Sequence, residues 1–192
     1  LMQAEHDAYV LRTVLAFDRR DRLDDFLAAL NRVIARHDAL RTVVLWEGLS
    51  QPVQVVLRQA TLIATESAAM DAPRDRSGRI VPHRFRLDVR HAPLIGAHFH
   101  QERTSGAWVL DLAAHHIACD HESLALIMAE VQSLMNGQEQ LLPASVPFRN
   151  IVAHVRNTPL EAHEAYFRQV LADIEEPTAP FGVTNLRVTG ST

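Results

Sequence analysis

One stretch limits this chain more than any other: Leu110-Asp111-Leu112-Ala113-Ala114-His115-His116-Ile117-Ala118-Cys119-Asp120-His121-Glu122-Ser123-Leu124-Ala125-Leu126. An apolar run ends in two adjacent histidines, Asp120 follows, and a helical spacing of apolar residues begins at once. That order predicts a strand, a short connector and a helix, with the titratable groups gathered at the joint. Strand ends are rigid and often border clefts, so joints of this kind frequently carry chemistry. Successive strand residues point to opposite faces, so His115 and His116 cannot both face one cavity. One imidazole can act on a substrate; the other must be satisfied in the packing.

The rest of the chain supplies a sheet and helices around that joint. Tyr9 to Phe17 has the β-branched and aromatic content of a strand, closed by Asp18-Arg19-Arg20-Asp21. From Leu23, apolar residues at Phe26, Leu27, Leu30, Val33 and Ile34 mark one helix face running to about Arg36, with Asp21 as its expected N-cap. Arg36 to Trp46 leaves that helix through a basic turn and enters a strand; residues 48–52 read as a hairpin turn and Val53 to Leu57 as the return. Residues 66–82 lack periodicity and read as loop with room for one short helix. Ile95 to Glu102 and Trp108 to His115 read as two strands joined at Thr104-Ser105-Gly106. Leu124, Ile127, Met128, Val131, Leu134 and Met135 form a second helical stripe, stopped by Asn136-Gly137. Residues 143–147 form a stiff Pro-containing connector, followed by helices near Phe148 to Arg156 and Leu160 to Ile174 and a tail at 177–192. The expected class is α/β (α+β): a mixed β-sheet flanked by helices.

Composition narrows the function classes. At 192 residues the chain is one domain or one large lobe. A formal net charge of −4 with scattered Lys and Arg gives no basic patch for nucleic acid or an anionic membrane. No apolar run approaches membrane-span length, and no signal-peptide pattern opens the chain. Cys119, the single cysteine, rules out an internal disulfide and fits a reducing cytoplasm. His98 and His100 sit two apart on one predicted strand, yet no Cys or carboxylate completes a ligand set, so no metal is expected.

Four segments carry a resemblance. His115-His116 with Asp120 resembles the HHxxxDG motif of the condensation domains of nonribosomal peptide synthetases, which share the fold of chloramphenicol acetyltransferase; His121 stands where the family has Gly. Arg36-His37-Asp38-Ala39-Leu40-Arg41-Thr42 resembles the family's RHxxLRT segment. Phe85-Arg86-Leu87-Asp88 to Pro93-Leu94 resembles a stretch ending in Gly-Pro-Leu, with Ala92 for Gly, and Pro147 to Val152 resembles a following aromatic segment. Leu1 to Val10 and Glu176 to Gly182 are similar to phrases of the dual epimerisation/condensation subgroup. The resemblance implies that residues 1–192 are the N-terminal lobe of a two-lobed domain, with the reaction channel between this lobe and a C-terminal one.

The residues fit the implied chemistry. An amine that attacks a thioester must be neutral or lose a proton as it attacks, and an imidazole, with an ordinary pKa of about 6.5, can take or position that proton. The resemblance assigns this role to His116, as base or as donor to the tetrahedral intermediate, and makes His115 structural. Asp120 is suited to cap the following helix; the resemblance instead pairs its carboxylate with an arginine, and Arg41 is the expected partner. His121 is a candidate to line the channel. Cys119 beside two histidines lacks an oxyanion signature and reads as a small interior thiol. The implied partners are upstream and downstream peptidyl carrier proteins, whose phosphopantetheine arms hold the substrates; no cofactor is expected on this lobe. Two rival readings are a non-catalytic docking lobe, suggested by His121 in place of Gly, and a stand-alone coenzyme A-dependent acyltransferase of the same fold.

Overall fold

Alternation along the first strand builds the edge of the main sheet. In the computed structural model, which describes residues 9–67 and 86–175, β1 spans Val10–Phe17. Leu15 and Phe17 pack against the core, while Val14 on the other face is exposed. The helix α1 (Arg20–Arg36) follows and buries Leu23, Phe26, Leu30, Val33 and Ile34, the predicted stripe. It begins one residue before the expected cap: Arg19 holds the cap position with extended backbone and no side-chain capping bond, its guanidinium pairing with Asp21 at 3.0 Å. Asp21 lies inside the first turn, where its carboxylate accepts the Arg22 amide at 2.9 Å and faces the positive end of the helix dipole.

A 3-10 turn at Asp38–Arg41 leads into a hairpin of β2 (Thr42–Leu45) and β3 (Val53–Val56), which forms its own two-stranded sheet. The short β4 (Thr65–Glu66), β5 (Ile95–Gln101) and β6 (Trp108–His115) complete the main sheet in the order β1-β6-β5-β4. β6 is central and antiparallel to both neighbours, with Val10 opposite His115 and Ile95 opposite Ala114. The helix α2 (His121–Met135) buries Leu124, Ile127, Val131 and Leu134. Gly137, at φ 69°, ends it: its amide bonds the Leu134 carbonyl and the Gln138 amide bonds that of Ser133, a Schellman closure.

Both helices pack on one face of the sheet, against Leu110, Leu112 and Ala114 of β6 and Ile95, Ala97 and Phe99 of β5. Truncating a fully buried member such as Leu30 or Leu110 costs about 2–5 kcal/mol. The basic turn after α1 ties the elements together. Arg36 Nε and His37 Nε2 reach the same Glu130 carboxylate oxygen of α2 at 3.0 and 2.8 Å. Both Asp38 oxygens accept the Phe148 amide at 3.0 Å.

The chain divides into two compact units, Leu1–Phe148 and Arg149–Thr192. Beyond the first, α3 (Phe148–Asn157) and α4 (Leu160–Val170) carry exposed apolar residues, among them Ile151, Val155, Tyr166 and Phe167. The 177–192 tail, the subgroup-like phrases at 1–8 and 176–182, Phe85, and most of the 66–82 loop lie outside the described residues.

Candidate functional site

The histidine pair sits where β6 ends. His115 is the last residue of β6, and its amide donates to the Leu94 carbonyl at 2.9 Å. The chain then turns through His116, Ile117 and Ala118, closed by the Ala118 amide on the His115 carbonyl at 2.9 Å. The His115 ring is bound into this turn: Nδ1 accepts the Ile117 amide at 3.1 Å, which places the neutral ring's proton on Nε2. Its plane stacks on Tyr9, with ring centroids 6.5 Å apart and 13° between planes.

His116 is exposed, and its amide donates to the Tyr9 carbonyl at 2.6 Å. Backbone anchored and imidazole open to solvent is the arrangement that lets a side chain act on something outside this chain. Ile117, beside it, is 48 % exposed.

The segments of the resemblance meet next to this turn. A cavity of about 50 Å³ is lined by Ala39 and Thr42, by Leu94, by Ile117 and Ala118, and by Phe148, with the β2–β3 hairpin closing it. That volume is the share of one or two waters and is too small for a carrier-borne substrate. The cavity is a packing seam behind the histidine turn. The open surface at His116 is where a reacting group has room.

Asp120 caps α2. Its carboxylate accepts the Ser123 amide at 2.8 Å, so the first turn of the helix is held from the loop that carries the histidines. Hydrogen bonding with Ser123 holds the carboxyl below its ordinary range, and the charge of His116 adds a smaller push in the same direction. The expected pair with Arg41 does not form. Arg41 Nη1 donates to the carbonyls of Leu57 and Arg58 at the end of β3, the second at 3.2 Å. The physical reason is locality: Asp120 meets a free helix amide three residues on, and Arg41 meets the two carbonyls that follow β3. Asp120→Ala should therefore lower the melting temperature while Asp120→Asn largely preserves it, and each should add independently to Arg41→Met. Because the folded carboxyl is the stronger acid, the cap's contribution is complete above the ordinary carboxylate pKa and disappears as pH falls through the lowered one. Non-additive melting shifts with Arg41→Met would restore the ion pair.

Cys119 is buried, and burial pushes its thiol up to about 11. The thiolate is the nucleophile, so this group is inert at neutral pH. Native protein at pH 8 should alkylate at Cys119 at least about a hundredfold more slowly than an exposed cysteine, from the thiolate fraction alone. Alkylation at the rate of the unfolded chain would contradict this.

His121 is the first residue of α2 and exposed. Its backbone is helical, so nothing in the fold requires glycine there. His98 and His100 lie on β5 as predicted, and among the described residues no group of three His, Cys, Asp or Glu is placed to hold a metal ion.

Sequence reasoning missed two residues. Asp111, 7 % exposed, lies on the face of β6 away from the helices, where Oδ2 pairs with Arg12 and Oδ1 has no hydrogen-bond partner. A carboxylate between Leu110 and Leu112 was its visible mark. Tyr9, half exposed, touches both histidines, and no local pattern marks it.

Comparison with known proteins follows the same lines. The family model described as "Condensation domain" matches residues 1–182. Malpinin synthetase of Mortierella alpina is 39% identical over 196 residues, covering 100% of this chain and 2% of the synthetase. Malpibaldin synthetase of the same organism is 40% identical over 195 residues, covering 99% of this chain and 4% of its own length. The chain thus spans a small fraction of these relatives. The solved starter condensation domain of rhizomide synthetase superposes with a TM-score of 0.62 at 16% identity, over 88% of this chain and 43% of that one.

Proposed function

Because the chain belongs to the condensation-domain family, we propose that residues 1–192 are the N-terminal lobe of a domain that joins carrier-bound substrates by a peptide bond. The amine of an aminoacyl thioester on a downstream carrier attacks the carbonyl of an acyl or peptidyl thioester on an upstream carrier. A C–N bond forms, the C–S bond breaks, the upstream phosphopantetheine thiol leaves, and the amine loses one proton. His116 takes or positions that proton. The protein needs no cofactor on this lobe for these steps, since the activated thioester supplies the driving force.

One observation carries the reading: of two adjacent histidines, His115 is bonded into the turn and His116 presents an exposed imidazole from an anchored backbone. Anchoring matters because misplacing a reacting group by about 1 Å can cost about a hundredfold in rate. Open placement also supports a channel that a C-terminal lobe completes. His121, exposed at the start of α2, lines that channel in this reading; unchanged KM for both loaded carriers in His121→Gly would remove it.

The test uses the full protein with two carrier proteins, one loaded with an acyl and one with an aminoacyl thioester. Intact mass spectrometry should show the acyl mass moving onto the acceptor carrier. Transfer from acyl-coenzyme A without carriers would favour the stand-alone acyltransferase. Carrier binding with no mass transfer would favour a docking lobe.

A further inference from the structure

We infer that Tyr9 is a positioning residue for His116, an inference that rests on the function proposed above. Tyr9 immediately precedes β1 and extends its ladder by one bond. Val10 pairs with His115, and the Tyr9 carbonyl then takes the His116 amide at 2.6 Å. Without that bond the ladder would end at His115, and His116 would be the first free residue of a three-residue turn.

The ring of Tyr9 acts on the other histidine. It stacks on His115 at 6.5 Å and 13°, inside the range where aromatic pairs attract. His115 in turn accepts the Ile117 amide through Nδ1, so the ring that Tyr9 covers is also the ring that closes the turn on the far side of His116. His116 is thus held by its own amide, by its preceding residue's ring and by its following residue's amide. Tyr9 supplies the first two holds. Being 52 % exposed, it contributes little buried surface to the core, so its effect falls on geometry more than on folding.

The backbone bond survives side-chain substitution; the stack does not. In the full protein with both carriers loaded, Tyr9→Ala should lower kcat about tenfold and leave KM for the acceptor carrier unchanged. Tyr9→Phe keeps the ring and should return kcat to within about threefold of wild type. Single-turnover rates in a His116→Ala background complete the test: there Tyr9→Ala should cost nothing further, because the group it positions is gone. Wild-type kcat in Tyr9→Ala would overturn the inference. So would a tenfold loss that persists undiminished in the His116→Ala background, which would mark a general structural effect. Wild-type activity of His116→Ala itself would instead remove the function on which the inference stands.

Discussion

Arg12→Met should destabilise the chain by about 3 kcal/mol, near the lower end of the cost of stranding a buried charge. Asp111 sits at the centre of the sheet with its side chain 10% exposed, and Arg12 on β1 is its ion-pair partner. One carboxylate oxygen already lacks a hydrogen bond, so removing Arg12 leaves a desolvated anion in place of a half-satisfied one. The Arg12 side chain is 28% exposed, and water can partly follow it in, which places the loss at the lower end. Methionine keeps most of the length of the arginine stem, so packing changes little. Arg12→Met combined with Asp111→Leu should recover most of the loss, since an apolar pair removes the stranded charge. Urea unfolding of the three variants measures this. A single Arg12→Met variant within about 0.5 kcal/mol of wild type would mean that the pair contributes no more than a surface one.

That pair also shows where sequence reading stops. Periodicity is a local property, and it located β5, β6, α2 and the α1 stripe closely; Trp108–His115 appears with the bounds the pattern predicts. Pairing is not local. Nothing in the stretch Val10 to Phe17 says that it lies beside the sixth strand and not the second, yet that register brings Arg12 to Asp111 and Tyr9 to His116. The two-residue β4 is too short to have a period at all. Asp120 illustrates the reverse case. Its cap is a three-residue relation and was visible in sequence, whereas the long-range partner expected from the resemblance, Arg41, is bonded to the carbonyls of Leu57 and Arg58 just past β3 instead. The roles of Arg36 and His37 on Glu130, and of Asp38 on Phe148, were equally hidden, because each joins residues about a hundred positions apart.

The largest expected effect belongs to His116. Proton transfer by a positioned side chain contributes about 10²–10⁴-fold to a reaction of this kind. The imidazole is exposed and makes no side-chain bond among the described residues, so its loss should spare the fold. The comparison is single-turnover amide formation by the full protein and its His116→Ala variant, with donor and acceptor carriers loaded and saturating. The variant should form product at least about a hundredfold more slowly while melting at the wild-type temperature. Product formed at the wild-type rate would show that His116 takes no part in the chemistry and that the site lies elsewhere.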